Sequence, residues 1–403
     1  MKWRAFMQPW QMLDGVFQRV SGPAFCVEYA NHEQKQYGEG EPLFTLVLHD
    51  PRLSDFFTDD ITLAFGEAYM DGRIDVRGDL ADVVSLAIRN ASLADGPSNL
   101  LRTAVSKTAG FARRSLQRQH EDVTHHYDLG NAFFSLWLDE SMTYSCAYFR
   151  NPADTLEQAQ ITKLDHSLKK LRLKPGEALL DIGCGWGSAV LRAASRFNVR
   201  ATGITLSEEQ CRYGEESIQK AGLEGRARIR REHYATLDEG DESFDKVISI
   251  GMMEHVGKPH LAEFASVVKR LLKPGGLALL HLITCRFTGP VNSWTDKYIF
   301  PGGYLPTLPE IAGCLNDADF RIWDIENLGP HYRRTLDCWS ERYERCVHQV
   351  RGMYDERFVR MWRMFLRGCS AAFREGNLDV HQLLVSKGDP NDLPLTREDL
   401  YAE

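Results

Sequence analysis

An apolar segment that leads directly into three closely spaced glycines constrains the fold of this chain more than any other feature. Residues 179–187 read Leu-Leu-Asp-Ile-Gly-Cys-Gly-Trp-Gly, and a helical pattern over residues 188–197 follows at once. Glycine tolerates a positive φ and lets a ligand approach closely, so a strand that ends this way can present its backbone to a nucleotide-like cofactor. A tight glycine turn within any α/β sheet is the alternative interpretation.

Strand and helix patterns alternate after residue 177, which predicts a mostly parallel sheet. Strands are predicted at residues 178–182, 200–206, 227–232, 244–250 and 276–284. Residues 320–327 and 380–386 supply two late strands, and residues 335–375 read as one long helical stretch between them. The prediction is an α/β, Rossmann-like domain with seven strands.

Segments of different composition indicate the domain organisation. Residues 1–95 predict a smaller N-terminal α+β domain, with strands at 24–29 and 43–48. Residues 96–120 predict a linker or an exposed helix, which is basic because residues 98–120 hold five basic and no acidic side chains. Residues 121–403 are then expected to form the catalytic domain.

The composition argues against several classes of protein. The net charge of the 403 residues is −8, so any contact with nucleic acid or anionic lipid needs a local basic patch. The nine cysteines include no C-x-x-C pair, which indicates reduced thiols and a cytosolic location. The longest mostly apolar run, residues 276–285, is too short to span a bilayer. The spacing of Glu254, His255 and His260 does not match a metal site, so no metal is predicted.

The G-x-G-x-G spacing, with Asp181 just before it, resembles motif I of the S-adenosylmethionine (SAM) methyltransferases. The resemblance implies that the three glycines face the methionine part of SAM, and that Asp181 accepts a hydrogen bond from its ammonium or orders the loop. These glycines are Gly183, Gly185 and Gly187. After the second strand, Thr205, Ser207 and Gln210 can hydrogen-bond the ribose hydroxyls without charge. Ser207 and Gln210 also fit a capping box, and both roles can hold together.

Seven stretches, taken in order, resemble one family: the cyclopropane-fatty-acyl-phospholipid synthases and the related mycolic acid cyclopropane synthases. Two of them read His-Tyr-Asp-Leu-Gly-Asn (126–131) and Met-Thr-Tyr-Ser-Cys-Ala-Tyr-Phe (142–149). The others are residues 181–187, 203–207, 253–257, 298–304 and 331–336. They cover about residues 120–340, and the flanking domains are also similar. The resemblance implies a seven-stranded SAM methyltransferase domain.

The resemblance also implies the reaction. A methyl group passes from SAM to a cis double bond of an unsaturated phospholipid acyl chain, and a bound bicarbonate deprotonates the resulting carbocation so that a cyclopropane ring closes. The implied bicarbonate holders are Cys146, Glu254, His281, Ile283 and Tyr332, with Cys146 and Ile283 acting through their backbone N–H groups. A fatty-acyl methyltransferase that adds a methyl or methylene branch without closing a ring is the alternative.

Aromatic and polar residues complete the implied site. Tyr144 and Ser145 are implied to contribute to the SAM site. Aromatic faces can stabilise the cation without capturing it. The candidates are Tyr144, Tyr298, Phe300 and Tyr304. At the adenine end, His233 stands where many members of the family have an acidic residue, so adenine recognition is expected to shift to Glu232 or to the backbone, with Tyr234 stacking on the ring.

A lipid substrate and the lack of a spanning segment together imply peripheral membrane contact. We expect a cytoplasmic protein associated with the inner face of the cell membrane, and the sequence leaves a homodimer open. Three segments are candidates for the contact: an apolar face within residues 3–17, the basic linker, and a stripe of four arginines. The stripe comprises Arg357, Arg360, Arg363 and Arg367. Core packing with a solvated face is the alternative for the first and third segments.

Overall fold

A seven-stranded sheet forms the centre of the larger of two units in this chain. The structure, a computed structural model, describes residues 9–50, 60–91, 129–237, 243–390 and 393–401. The smaller unit combines residues 1–110 with the later segments 291–301 and 339–377. The larger unit takes residues 111–290, 302–338 and 378–403. The domain boundaries at residues 95 and 120 stay a prediction.

The helices and strands follow in chain order. The strands are β1 (Phe25–Glu28), β2 (Gln34–Tyr37), β3 (Thr45–Leu48), β4 (Ile74–Arg77), β5 (Ala178–Ile182), β6 (Arg200–Thr205), β7 (Ala227–Arg231), β8 (Phe244–Ile250), β9 (Leu272–Cys285), β10 (Gly289–Pro290), β11 (Tyr304–Leu305), β12 (Arg321–Asn327) and β13 (Leu378–Ser386). The α-helices are α1 (Pro9–Phe17), α2 (Ile61–Met70), α3 (Leu80–Arg89), α4 (Asn131–Phe134), α5 (Leu156–Lys170), α6 (Ser188–Arg196), α7 (Glu208–Lys220), α8 (Leu261–Leu271), α9 (Ser293–Tyr298), α10 (Leu308–Asp317), α11 (Gly329–Met353), α12 (Glu356–Arg374) and α13 (Glu398–Tyr401).

The strand order of the large sheet creates a crevice at one edge. The order is β12-β13-β9-β8-β5-β6-β7, and the strands are parallel except β13, which runs antiparallel to both neighbours. From β5 the chain builds outward through β6 and β7, and then returns to the other side of β5 with β8 and β9. Ligands of doubly wound sheets bind where the strand order reverses, at the carboxyl ends of the strands. In this sheet that point lies between β5 and β8.

Two apolar clusters hold helices against the two faces of the sheet. On one face, α8 and α10 contribute Phe264, Val268 and Ile311 to a cluster with strand residues such as Leu280. On the other face, α5, α6 and α7 contribute side chains such as Val190 to a second cluster. A side-chain period of two along each strand sends neighbouring residues to opposite faces, which is why Leu279 and Leu280 lie in different clusters. The predicted α/β class is therefore confirmed.

The smaller unit contains a four-stranded sheet in the order β2-β1-β3-β4. Helix α2 runs through Gly66 without a break. A Cβ on Gly66 would overlap the ring of Trp294 in α9, so this glycine allows the two helices to approach closely. Close approach, and not an interruption of the helix, is therefore the reason for glycine here.

Two predicted elements have different bounds in the structure. The fifth strand begins at Leu272, four residues before its predicted start, because Leu272 pairs with Phe244 of β8. The helical stretch predicted over residues 335–375 is two helices, α11 and α12. The chain breaks between them where the Asp355 side chain accepts a hydrogen bond from Phe358 N–H at 2.8 Å and caps α12. The whole basic linker, residues 96–120, lies outside the described residues, as do residues 126–128 of the first family-like stretch.

Candidate functional site

An open cleft lies at the carboxyl ends of β5, β6 and β8, at the reversal point of the sheet. Its volume is about 1030 Å³, including the solvent-open mouth. Nine of the eleven residues predicted to bind the cofactor line this cleft. They are Tyr144, Ser145, Asp181, Gly183, Gly185, Thr205, Gln210, His233 and Tyr234. The two others, Gly187 and Ser207, are outside the lining and contribute to local geometry.

Two glycines of the loop, Gly185 and Gly187, have different roles. Gly187 has a φ of 89° and is the N-cap of α6, and a Cβ there would strike Ile229. Gly185 has a φ of 55°, and a Cβ there would meet no atom within 4 Å. Gly187 is therefore required by packing, whereas Gly185 borders open space in which a ligand can lie against the main chain.

The last residue of β6 and two residues that follow it form a small hydrogen-bonded group. Thr205 Oγ1 donates to Gln210 Oε1 at 2.7 Å, and Ser207 Oγ accepts from Gln210 N–H at 3.3 Å. Ser207 is thus the N-cap of α7, as one of the two interpretations held. The capping box is not completed, because the Gln210 side chain binds Thr205. Contact of these residues with a ribose stays a prediction.

The expected adenine end of the cleft contains Glu232, His233 and Tyr234. His233 Nδ1 accepts from Ala235 N–H at 3.1 Å and so caps the short turn of 3₁₀ helix Tyr234–Thr236. The Tyr234 ring is buried and packs edge-on against Phe264, with ring centres 5.2 Å apart. The His233 ring lies 4.5 Å from the Tyr234 ring.

Asp181 is a buried carboxylate at the base of the cleft. Its Oδ1 atom has no hydrogen-bond partner within the described part of the chain. Burial raises the pKa of Asp181 to about 7, and the charge of Lys163 opposes this rise. A buried polar oxygen without a partner is unfavourable, so this atom suits a ligand that donates a hydrogen bond.

Two further residues of the cleft region, Gln160 and Lys163 of α5, were not predicted from the sequence. Lys163 Nζ donates to Ser145 Oγ at 2.8 Å, and burial lowers the pKa of Lys163 to about 8. Gln160 Nε2 donates to the carbonyl oxygens of Thr143 and Ser145, at 3.2 and 2.9 Å. Together these two side chains fix the Thr143–Ser145 segment. The sequence signal was polar side chains at helical spacing, which resembles a solvated helix face.

Three of the five residues implied to hold bicarbonate lie close together. Glu254 Oε1 accepts from Ile283 N–H at 2.7 Å, so this amide serves the carboxylate in the structure. Glu254 Oε2 is buried without a hydrogen-bond partner among the described residues, and burial raises the pKa of Glu254 to about 7. His281 lies two residues before Ile283 on β9, and its Nδ1 is 3.1 Å from Nε2 of Gln382. Burial lowers the pKa of His281 well below its usual value, so the ring stays neutral.

The remaining two, Cys146 and Tyr332, each contact the carbonyl oxygen of Leu328. Cys146 Sγ lies 3.8 Å from the Leu328 carbonyl oxygen, and Tyr332 N–H donates to the same oxygen at 3.1 Å. Burial raises the pKa of the Cys146 thiol, so it does not supply a thiolate nucleophile. These contacts join Glu254 to Ile283 and Cys146 to Leu328, and the charge of Lys163 acts on both Cys146 and His281.

Of the four aromatic candidates for stabilising a cation, Tyr144 lines the cleft. Its ring packs against Phe134 and Trp137, with centres 5.3 and 5.5 Å apart. Tyr304 is buried and donates its hydroxyl hydrogen to Glu310 at 2.8 Å. Tyr298 and Phe300 belong to the smaller unit.

Neither a metal site nor a membrane span occurs in the part of the chain that the structure describes. No group of three His, Cys, Asp or Glu side chains there is arranged to hold a metal ion. None of the helices described combines the length and the apolar character needed to cross a bilayer.

The arginine stripe of α12 is paired within the smaller unit. Arg357 binds Asp71 at 2.8 Å and Arg360 binds Asp75 at 2.7 Å. Arg363 pairs with Glu344, and Arg367 pairs with Asp79. These contacts favour the packing interpretation of the stripe over the lipid-binding one. Of the other candidate segments, residues 1–8 and the whole basic linker are outside the described residues.

Comparison with known proteins gives consistent matches over most of the chain. The family model described as mycolic acid cyclopropane synthetase matches residues 114–383, and a domain of unknown function, DUF7884, matches residues 12–95. A probable fatty acid methyltransferase of Pseudomonas putida is 37% identical over 370 residues, which cover 89% of this chain and 92% of the relative. The cyclopropane-fatty-acyl-phospholipid synthase of Escherichia coli K12 is 38% identical over 342 residues, covering 83% and 86%. The crystal structure of mycolic acid cyclopropane synthase CmaA1 with SAH and CTAB superposes with a TM-score of 0.63 at 35% identity, covering 66% of this chain and 98% of that one.

Proposed function

The chain belongs to the mycolic acid cyclopropane synthetase family, and from this premise we propose that it is a SAM-dependent cyclopropane synthase of lipids. The substrate we propose is a cis-unsaturated acyl chain of a phospholipid. One observation carries the proposal: two buried carboxylate oxygens have no hydrogen-bond partner among the described residues, one on Asp181 in the cleft beside Gly185 and one on Glu254 just after β8. We expect the Asp181 oxygen to accept a hydrogen bond from the cofactor, and the Glu254 oxygen to face the anion that takes part in the reaction.

The cleft fits SAM by its donor set and its space. Asp181 offers an acceptor to an ammonium, Thr205 and Gln210 offer hydroxyl and amide groups to a ribose, and Gly185 leaves room for the ligand against the backbone. When bound, SAM supplies an electrophilic methyl group. The protein residues hold it at the carboxyl edge of the sheet, as doubly wound sheets do with nucleotide-like ligands.

We propose that bicarbonate is the base and that Glu254, His281 and Tyr332 hold it. The fit rests on Glu254 Oε2, which is buried and has no partner among the described residues, and on the neutral ring of His281. If Gln382 Nε2 donates to His281 Nδ1, the proton of the ring is on Nε2, which can then donate to an oxyanion. With a pKa of about 7, Glu254 can accept or return a proton near neutral pH. Bound bicarbonate supplies a base.

Ile283 fits this role only with a change from the sequence prediction. Its N–H already donates to Glu254 Oε1, so we propose that it orients the carboxylate that faces the anion. For Cys146 we propose the predicted role through its backbone N–H, since burial keeps its thiol neutral.

A second candidate function has its own support. The Pseudomonas putida relative, which aligns over 89% of this chain, is named a probable fatty acid methyltransferase. A branch-forming enzyme would need the same cofactor and the same cation, and would differ in which proton is removed. Both products add one carbon, so the comparison must separate a ring from a branched alkene.

The test is lipid mass spectrometry after expression in a bacterial host that lacks such enzymes. We expect phospholipid acyl chains heavier by one CH₂ that resist ozonolysis, because a cyclopropane has no double bond to cleave. A one-carbon product that ozone cleaves would establish the branch-forming alternative. The His281→Ala variant, expressed at the same level, is the matched control, and no new lipid with either protein would contradict both functions.

Bicarbonate dependence is tested in purified protein with vesicles of unsaturated phospholipid. Activity should fall in buffer depleted of carbon dioxide and return on addition of bicarbonate, but not of chloride. Full activity after rigorous depletion would exclude bicarbonate as the base.

We also propose peripheral association with the cytoplasmic face of the membrane through the N-terminal segment or the basic linker. Anionic lipid contributes about 1 kcal/mol for each nearby Lys or Arg. Sedimentation with anionic vesicles should therefore weaken when the linker arginines Arg102, Arg113, Arg114 and Arg118 are changed to glutamine. If binding to vesicles is unaffected by salt concentration and by the four arginine substitutions, apolar insertion by residues 3–17 would be the favoured explanation.

A further inference from the structure

Helix α5 turns a polar face inward, and one charge on that face is not balanced within the described residues. Gln160, Lys163, Ser167 and Lys170 are all buried, at the spacing of one helix face. Lys170 pairs with Glu326 and Asp324. Lys163, whose side chain is just as buried, contacts the Ser145 hydroxyl and forms no ion pair with any Asp or Glu in the part of the chain that the structure describes.

An isolated buried ammonium is unfavourable because it loses its hydration without gaining a counter-charge. Lys163 nevertheless stays largely protonated at neutral pH, since burial lowers its pKa only to about 8. A hydroxyl satisfies one of its three N–H groups and none of its charge. This arrangement suits a residue whose anionic partner arrives with a ligand.

The complementary charge is on the wall of the same cleft. Asp181 is also buried, and its Oδ1 has no partner within the described residues. Each of the two charges acts on the pKa of the other, yet they form no ion pair. A cation and an anion that are close but separate match the zwitterionic end of an α-amino acid, in which one carbon carries both an ammonium and a carboxylate.

We propose that Lys163 binds the carboxylate of the methionine part of SAM, while Asp181 receives its ammonium. This inference rests on the proposed function, because it assumes that SAM occupies the cleft. Ser145 would then lie next to this carboxylate. Its hydroxyl accepts from Lys163 and its carbonyl oxygen accepts from Gln160, so its position is fixed.

Bicarbonate is the other anion that Lys163 can serve, since its charge also acts on Cys146 and His281. Position favours the methionine carboxylate. Lys163, Ser145 and Asp181 all line the cleft, whereas the five proposed bicarbonate residues are outside its lining.

Calorimetric titration with two ligands separates these roles. S-adenosylhomocysteine keeps the amino-acid group of SAM, and 5′-methylthioadenosine lacks it. Lys163→Met should weaken binding of S-adenosylhomocysteine roughly tenfold to a hundredfold, the usual value of a charge-assisted hydrogen bond, and should leave binding of 5′-methylthioadenosine unchanged. Lys163→Arg, which keeps the charge, should retain most of the difference between the ligands.

Lys170→Met is the matched control, with the same substitution on the same buried helix face. It removes one of the partners of Glu326 and Asp324, so it should lower stability without changing the ratio of the two affinities. Lys163→Met should leave the ligand-free protein at least as resistant to urea as the parent, because it removes a charge that lacks a partner. A loss of stability would instead indicate a structural role.

Three results would overturn the inference. Equal losses for both ligands would mean that Lys163 supports the cleft as a whole. Unchanged binding of both would mean that it does not touch the carboxylate. Unchanged binding with lost bicarbonate-dependent turnover would assign the charge to bicarbonate. If the parent protein binds neither ligand, the proposed function itself fails, and the variants play no part in that conclusion.

Discussion

Two helices, one in each unit, have basic side chains that differ in whether a carboxylate balances their charge. In α12 of the smaller unit, the four stripe arginines each pair with a carboxylate of that unit. Arg360 is the most buried of them, and it also donates to the carbonyl oxygens of Tyr69 and Ile74. In α5 of the larger unit, Lys170 is paired in the same way, whereas Lys163 contacts only a hydroxyl among the described residues.

The difference separates charges that hold the fold from charges that serve a ligand. A buried cation with its carboxylate in the same unit is complete, and removing it leaves an uncompensated partner. A buried polar group with no partner in the fold lowers stability, and proteins retain such groups at functional sites. Three groups in or beside the cleft are of the second kind within the described residues: the Lys163 charge, which has no carboxylate partner there, and the unpartnered oxygens Oδ1 of Asp181 and Oε2 of Glu254. Arg360 is of the first kind.

The largest effect should come from His281, which we place at the base site. His281→Ala should slow product formation by roughly 10²–10⁴-fold, the usual range for a general acid or base group, and leave the affinity for S-adenosylhomocysteine unchanged. Single-turnover assays and titration of the same preparations measure the two quantities. His348→Ala, at an exposed histidine, is the control and should match the parent. A parallel loss of affinity would show that His281 supports the cofactor cleft instead of the base.

The next effect tests the paired side of the comparison. Arg360→Met should lower the free energy of unfolding by about 2–4 kcal/mol, because Asp75 and the carbonyl oxygens of Tyr69 and Ile74 each lose a charged donor. Urea unfolding monitored by tryptophan fluorescence measures this change. A variant as stable as the parent would mean that the ion pair does not hold the smaller unit together, and the lipid-binding interpretation of the stripe would regain support.

The glycine loop and the strands were predictable because their signals are local. Apolar runs, turn glycines and the Gly183–Gly187 spacing all lie within a few residues of one another. The start of the fifth strand was not, since Leu272 extends it by pairing with β8. The break between α11 and α12 had a local signal, an N-capping Asp355, which the long helical pattern around it concealed.

Partners distant in sequence explain what the sequence did not reveal about charge. Arg360 and Asp75 are 285 residues apart, and the partner of Lys170, Glu326, is 156 residues away. A basic residue on a helix therefore reads as solvated whether it is exposed, paired or reserved for a ligand. Lys163 could be distinguished only once the fold was known, because the fold places it near Asp181 and gives it no carboxylate partner among the described residues.

Glu254 provides a pH-dependent test of the unpartnered side. Its pKa is about 7 in the folded state, compared with 4.5 for an ordinary glutamate, so between these values the folded state holds a proton that the unfolded state has lost. The free energy of unfolding therefore falls as the pH rises through this window. Glu254→Gln removes the effect, and should raise the free energy of unfolding by about 1–3 kcal/mol at pH 8 and by nothing below about pH 4.5. A gain that is the same at both pH values would contradict the assigned cause.

The smallest effect comes from Arg357, which repeats the Arg360 change at an exposed position on the same helix. Arg357 and Asp71 are 44% and 40% exposed, compared with 13% for the Arg360 side chain. An exposed ion pair contributes about 0–1 kcal/mol, so Arg357→Met should cost about 1 kcal/mol or less, even with the added contact to Tyr298. Raising the salt concentration to about 1 M, where charges are screened beyond roughly 3 Å, should abolish most of this difference and leave most of the Arg360 effect. If both variants lose the same stability and respond equally to salt, burial does not distinguish the two pairs, and the contrast between structural and ligand-directed charges would have to rest on α5 alone.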